Sequence, residues 1–287
     1  MKTALECLPC LLRQALHGAG LATDSPDIQK SIMEQACRIL SDLDFNLTPP
    51  ENSIRIYEAI AGISGCKDPF IDLKNESNQL ALSLRGMIKE EIERTPDPLL
   101  TAIRFSIAGN IIDYGSQQSF HPHSAIKDCL SRELAINDYQ ELQKDLREAD
   151  SVLYLADNAG EIVLDRLVIE ELEGRVTIAV KKEPIINDAL LADAEVSGLD
   201  KICRVMDNGT SCPGTPLDLC SPELRDEFSA ADIIISKGQG NFETLSEIRA
   251  PIYFLLTVKC PVVAEHIKEL TGRRVENGEM VLLKSES

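Results

Sequence analysis

Through residue 112, apolar positions recur at helical spacing. In the segment 27–41 the repeat falls on Ile28, Ile32, Ala36, Ile39 and Leu40, and similar stripes run through 2–18, 51–62, 71–93 and 97–112. Breakers divide them, among them Thr48-Pro49-Pro50 and Thr95-Pro96-Asp97-Pro98. The pattern predicts an all-helical N-terminal domain over residues 1–115.

From about residue 150 the pattern changes. Short apolar runs at 152–156, 176–180, 202–206, 233–236 and 252–258 are each followed by a polar or glycine-bearing turn and then a helical stretch. Strands apolar on both faces that alternate with helices describe a parallel sheet covered by helices. The expected fold class is therefore α/β: the helical domain, a helical bridge over 116–150, and a doubly wound, mostly parallel α/β domain over 151–287. The bridge carries His121-Pro122-His123, whose central proline favours a surface turn over a ligand pair, and an acidic helix near 138–149.

Composition narrows the partners. With 47 acidic and 29 basic residues the net charge of the 287-residue chain is −18, which repels polyanions and excludes a nucleic-acid face. A small phosphorylated metabolite stays compatible, because a bound divalent cation and a few lysines reverse the field locally. The start, Met1-Lys2-Thr3-Ala4-Leu5-Glu6-Cys7, lacks an apolar secretory stretch, and no uninterrupted apolar run is long enough for a membrane span. Nine cysteines, an odd count at low density, fit thiols in a reducing compartment. The expected location is the cytoplasm, without a membrane partner; a homo-oligomer is neither required nor excluded.

In an open parallel sheet, ligands bind beyond the carboxyl ends of the strands. The residues found there are Asp157-Asn158-Ala159-Gly160-Glu161, then Lys181-Lys182 with Asn187-Asp188, Asp207-Asn208-Gly209-Thr210, Lys237-Gly238-Gln239-Gly240-Asn241, and Lys259-Cys260. Two carboxylates and an amide oxygen suit a hard divalent cation, so Asp157, Asn158 and Asp188 are the natural ligands. Mg²⁺ or Mn²⁺ is expected there, with Co²⁺ or Ni²⁺ able to substitute. Strand-end lysines, with backbone amides at 238–241 opening a helix, could hold phosphate oxygens.

Each piece also has an ordinary structural explanation. Asn158 with Glu161 fits a capping box, Asp188 could cap the helix that follows, and Lys237 and Lys259 could be solvated charges. Nucleotide motifs fail at the residue level: there is no Walker loop, and Glu243 stands where a dinucleotide fingerprint needs its third glycine. Cys7-x-x-Cys10 has the spacing of half a zinc site, but no second pair follows, and Cys37, Cys66, Cys212, Cys220 and Cys260 are scattered singles.

Taken in order, Cys7-Leu8-Pro9-Cys10, Gly109-Asn110-Ile111-Ile112-Asp113, Asp157-Asn158-Ala159-Gly160-Glu161, Asn187-Asp188-Ala189, Pro213-Gly214-Thr215, the 237–243 segment and Lys259-Cys260 resemble the metal-dependent damage-control phosphatases, domain-of-unknown-function family eighty-nine. The matches run through nearly the whole chain, and the paired N-terminal cysteines resemble the prokaryotic branch. The resemblance implies a helical domain capping an α/β domain and metal-dependent hydrolysis of phosphate monoesters such as sugar phosphates. It implies metal ligation by Asp157, Asn158 and Asp188, catalytic roles for Asp157, Glu161 and Lys259, and Asn110 and Asp113 facing the cleft from the helical side. Lys237, Gly238, Gly240 and Asn241 complete the expected substrate contacts.

Two other readings stay open at this point. Strand-loop-acid-helix at 155–161 can hold a ribose, as in a nucleotide- or adenosyl-cofactor-binding transferase, although the first turn lacks its glycines. A non-enzymatic metal-binding module built around Cys7 and Cys10 is the other.

Overall fold

Local chemistry sets the helix boundaries. Thr48 and Glu51 form a reciprocal capping box, Thr48 N–H donating to Glu51 Oε2 at 2.9 Å, and Pro49 occupies the first helical position where its missing donor is harmless. Pro26, Pro98, Pro222 and Pro261 open their helices in the same way. In the computed structural model, which describes residues 1–109, 126, 129–172 and 174–285, the N-terminal helices are α1 (Cys7–Ala22), α2 (Pro26–Ser41), α3 (Pro49–Ser64), α4 (Ile71–Glu93) and α5 (Pro98–Ile107). All five coincide with the predicted segments to within a few residues.

The remaining described elements are β1 (Leu134–Asn137), α6 (Tyr139–Glu148), β2 (Val152–Leu155), α7 (Glu161–Glu170), β3 (Val176–Val180), α8 (Leu191–Ser197), β4 (Arg204–Asp207), α9 (Pro222–Ala230), β5 (Ile233–Lys237), α10 (Gly238–Leu245), β6 (Ile252–Thr257), α11 (Pro261–Thr271) and β7 (Met280–Lys284). The strands form one sheet in the order β1-β7-β6-β5-β2-β3-β4. From β6 to β4 every pairing is parallel; β7 runs antiparallel to β6, and β1 follows β7. A doubly wound, mostly parallel α/β sheet is therefore present as expected.

Segment 116–150 differs from the expected helical bridge. Its described part contains β1, which pairs with β7 and extends the sheet edge, so the α/β layer begins well before residue 151. His121 and His123 lie outside the described residues.

Alternation along the strands divides the core. Val152, Tyr154, Ile178 and Ile235 pack with α4 to α8 on one face, while Leu153, Leu155, Ile234 and Phe254 pack with α9, α10 and α11 on the other. Helices α1, α2 and α3 hold a separate core around Ala15, Ile32, Ile39, Ile56 and Ile60. Only these three N-terminal helices stand apart from the sheet; α4 and α5 lie against α7 as part of its covering layer.

Strand order reverses between β2 and β5: successive strands after β2 go one way, and β6 lies on the other side of β5. The loops after β2 and β5 diverge around that point, which is where a doubly wound sheet opens a ligand crevice.

Candidate active site

The loops after β2 and β3 are joined. Ala159 N–H donates to the Asn187 carbonyl and Ala189 N–H to the Asp157 carbonyl, both at 2.8 Å, so Asn158 and Asp188 face each other in an antiparallel bridge. Two parallel strands thus deliver Asp157, Asn158 and Asp188 to one place. Ile186, just ahead of this loop, has a φ of 44°, a left-handed backbone strained for a β-branched residue.

The capping explanations are not realised. Gly160 precedes α7 with no side-chain cap, and the Asn158 amide donates instead to Asp157 Oδ2 at 2.9 Å and Glu161 Oε2 at 3.3 Å. With its amide hydrogens so directed, Asn158 has its carbonyl oxygen left to offer. The carboxylate serving the start of α8 is Asp193, which accepts from Leu190 N–H at 2.8 Å, and Asp188 remains available.

Electrostatics mark the same spot. Burial, and then Glu161, pushes the Asp157 carboxyl up to about 6 against the pull of Lys259, Lys237 and Lys181. Burial pushes Asp188 up to about 8 against Lys181, with Asp157 adding to the rise. Asp188 Oδ2 is buried with no hydrogen-bond partner among the described residues; Lys181 Nζ stands 3.7 Å away and donates to the Gly214 carbonyl at 2.6 Å. Two crowded carboxylates, one with an orphaned oxygen, beside an amide carbonyl form a donor set that fits a hard divalent cation. Among the described residues, no group of three or more His, Cys, Asp or Glu side chains forms a metal cluster; Asp157, Asp188 and the Asn158 amide are the oxygen donors brought together here.

Beneath this floor sits Lys237, expected from sequence as a substrate contact. The structure corrects that assignment. Lys237 is fully buried, and its ammonium donates to Glu161 Oε1, to Asp165 Oδ1 at 2.7 Å and to the Ser106 carbonyl at 3.1 Å. Burial alone would lower its proton affinity; Asp165 and Glu161 outweigh burial and hold it well above the ordinary lysine range. Asp165 is itself fixed by Ser106 Oγ at 2.7 Å and Tyr154 OH at 2.8 Å. The ammonium therefore pairs with Glu161 from below.

Gly238, Gly240 and Asn241, expected as a phosphate cradle, also serve the packing of the loops around them. Gly238 has a φ of 79°, and a Cβ there would lie 2.0 Å from Asp157 Oδ2; a Cβ at Gly240 would lie 1.8 Å from the Pro213 carbonyl. Both glycines permit close approach. Asn241 is buried, accepting from Thr215 Oγ1 at 2.7 Å and donating to the Lys237 carbonyl at 2.8 Å and the Ala156 carbonyl at 3.1 Å. Its side chain joins β2, β5 and α10. Asn110 and Asp113 lie outside the described residues; their neighbour Gly109 abuts Glu161, where a Cβ would meet Cγ at 2.8 Å.

A cleft of about 530 Å³ opens above the carboxylates. Asp157, Asn158, Asp188 and the exposed Lys259 line it from the sheet, and Arg13, Gln14 and Ser53 line it from the three-helix unit. Gln239 ties two of its walls together, donating to Glu243 at 2.8 Å and accepting from Lys259 N–H at 2.9 Å. Cys7, Cys10 and Cys260, a pair and a scattered single in the sequence, face this one cleft.

Glu243, Asp165 and Asp193 were missed by sequence reasoning. Asp165 left a trace, an acid four residues after Glu161 in the otherwise apolar Ile162-Val163-Leu164-Asp165 segment.

Comparison with known proteins assigns the chain to a family. Residues 3–275 match the family profile described as the damage-control phosphatase ARMT1-like domain. A damage-control phosphatase of Pyrococcus horikoshii is 36% identical over 284 residues, covering 96% of this chain and 97% of its own. One from Archaeoglobus fulgidus is 35% identical over 286 residues, covering 96% and 98%. An uncharacterized protein of Methanocaldococcus jannaschii is 34% identical over 301 residues, covering 99% and 96%. The crystal structure of a P. horikoshii protein of domain-of-unknown-function family eighty-nine superposes with a TM-score of 0.91 at 35% identity, over 100% of both chains. With the profile spanning most of the chain and the fold shared from end to end, this protein belongs to the ARMT1-like damage-control phosphatase family.

Proposed function

We propose that the protein hydrolyses phosphate monoesters of small polar metabolites, sugar phosphates among them, with a divalent cation held by Asp157, Asn158 and Asp188. The observation that carries the reading is the Asn158–Asp188 bridge, which brings two proton-hungry carboxylates and an amide carbonyl to the floor of a cleft rimmed by Lys259. Mg²⁺ or Mn²⁺ suits this all-oxygen set, and Co²⁺ or Ni²⁺ would substitute in vitro. When bound, such an ion neutralises phosphoryl oxygens and acidifies nearby water.

The chain's own groups do the rest. Lys259 pairs with phosphoryl oxygens on the open side of the cleft, where its charge already reaches Asp157 and Asp188. Asp157 stands at the cleft floor as a hydrogen-bond acceptor, with Glu161 beside it held by Asn158 and Lys237, so a water oriented there can give up a proton as its oxygen bonds phosphorus. The ester P–O bond breaks, the released alkoxide takes up a proton, and inorganic phosphate remains. Above the floor, the polar walls formed by Arg13, Gln14, Ser53 and Glu243 suit a hydroxyl-bearing leaving group.

The rival readings lose their footing. The acid that would hold a ribose, Asp157, is crowded by Gly238 and Asn158, and the cysteine pair opens onto the carboxylate cleft. All nine cysteines are free thiols, which supports the cytoplasm as a reducing location. Among the described residues no helix is long and apolar enough to cross a membrane.

The test is release of inorganic phosphate from a panel of sugar phosphates with Mn²⁺, Mg²⁺ or Co²⁺, and with chelator. Turnover that needs the ion and disappears with chelator is expected; chelator-insensitive turnover, or none on any ester, overturns the proposal.

A further inference from the structure

Asn78 lies on α4, outside the cleft, and is 2% exposed. Its Oδ1 accepts from Gly160 N–H at 2.7 Å, in the loop that carries Asp157 and Asn158. Its Nδ2 donates to Asp193 Oδ1 at 2.6 Å, and the other oxygen of Asp193 accepts from Leu190 N–H, two residues after Asp188. One buried amide therefore spans from the β2 loop to the β3 loop. The orientation of the amide is dictated, because a backbone N–H can only donate and the carboxylate only accept. The fit is also tight: Gly160 has a φ of 77°, and a Cβ there would lie 2.7 Å from Ser77 Cβ and 3.0 Å from the Ser77 carbonyl carbon.

The two loops are already paired on one side by the hydrogen bonds of Ala159 and Ala189. Asn78 ties them from the other side through a third element. We propose that Asn78 is a positioning residue, a cross-brace from α4 that fixes the separation of the Asp157-Asn158 loop from the Asp188 loop and so sets the affinity of the site for its divalent cation. This inference rests on the metal-site reading above. A neutral amide is the side chain the brace requires, since one end must accept while the other donates. Aspartate loses the donor and sets two carboxylates against each other; alanine takes away the partner of the Gly160 N–H and of Asp193 Oδ1.

The experiment is calorimetric titration of the metal-free protein with Mn²⁺, at pH 8 and a temperature where every variant is folded. Asn78→Ala should weaken Mn²⁺ binding by about tenfold or more, the range for groups that orient metal ligands. Saturating Mn²⁺ should then restore much of the turnover. Ile88→Ala, which opens a cavity on the same helix at a fully buried position, is the structural control: it should lower Tm without moving the Mn²⁺ affinity. Asn78→Asp keeps the side-chain volume and the acceptor for Gly160, so it tests the link to Asp193 should the alanine variant not fold. Wild-type Mn²⁺ affinity in a folded Asn78 variant, or a loss matched by Ile88→Ala, overturns the brace. No Mn²⁺ binding by the wild-type protein overturns the metal site itself, and the brace with it.

Discussion

Gly238→Ala is the sharpest single test of the floor of the cleft, because its two consequences can be separated. The backbone there is left-handed, with a φ of 79°, which for alanine costs about 1–2 kcal/mol. The added Cβ would also lie 2.0 Å from Asp157 Oδ2 and 2.2 Å from its Cγ, so the carboxylate would have to retreat by about 1.4 Å to reach the 3.4 Å of ordinary contact. Backbone strain alone lowers Tm by a few degrees in a protein of this size. A displacement of more than an ångström at a reacting centre lowers kcat/KM by roughly a hundredfold.

Gly272→Ala supplies the control. Gly272 is also left-handed, with a φ of 70°, but nothing lies within 4 Å of a Cβ placed there. It should show the loss in Tm and keep its activity. Phosphate release by both variants, alongside thermal melting, decides the matter. A folded Gly238→Ala protein with wild-type kcat/KM would show that the position of Asp157 does not govern the reaction.

Other substitutions probe the remaining parts. Asp157→Ala and Asp188→Ala should each lower turnover by orders of magnitude in a folded protein and abolish the Mn²⁺ signal in calorimetry; retained metal binding and activity in either would refute the ligand assignment. Lys259→Ala should weaken inhibition by inorganic phosphate and lower kcat/KM about tenfold to a hundredfold, from the loss of a charge-assisted bond of roughly 1.5–3 kcal/mol; unchanged kinetics would mean that another group holds the phosphate. Glu243 is held protonated up to about 7 by burial, against Gln239, whereas the unfolded chain releases that proton near 4.5. The unfolded state therefore binds fewer protons between those values, and Glu243 lowers stability progressively as pH rises from 4.5 to 7, by on the order of 3 kcal/mol in all. Metal-free Glu243→Gln should consequently melt above the wild type at pH 8 and lose that advantage towards pH 5; parallel melting curves across the range would refute it.

The carboxylate rim was legible in the sequence because the connectivity of a parallel sheet does the placing. Once 152–156 and 176–180 are adjacent strands, Asp157 and Asp188 must emerge on one edge. The lysines were not legible to the same degree. Lys237 and Lys259 both follow apolar runs, yet Lys237 ends β5 with its side chain buried against Asp165, whereas Lys259 follows β6 on the rim. That difference depends on a partner in α7 that local pattern does not reveal. Strands β1 and β7 escaped for a related reason. Leu134–Asn137 lies between helical stretches and is defined by pairing with Met280–Lys284, which in turn is placed by its antiparallel pairing with the distant β6. Asn78 has no local signal, since a polar residue on a helix that otherwise buries Ala81, Leu84 and Ile88 is unremarkable until the loops it bridges are known.

The charge inventory explains how a chain of net charge −18 can receive an anion. Around the cleft floor stand five acids, Asp157, Glu161, Asp165, Asp188 and Glu243, against three lysines, Lys181, Lys237 and Lys259, an excess of two negative charges. Lys237 is bound to Glu161 and Asp165, and Lys181 is engaged by Gly214 beside Asp188, so neither can turn outward without leaving a buried carboxylate uncompensated. Burial first, with the neighbouring acids adding to it, favours protons on Asp188 and Asp157 in the metal-free site, which is what the elevated values express. On the proposed metal site, a divalent cation would match the excess of two, and its binding would release those protons from the same oxygens. With that charge cancelled, Lys259 would act as a net positive group on the rim, where an incoming phosphate would meet it. On the proposed metal site the floor would be completed by a cation before it holds an anion, with Asn78, Gly238 and Lys237 fixing its shape beforehand.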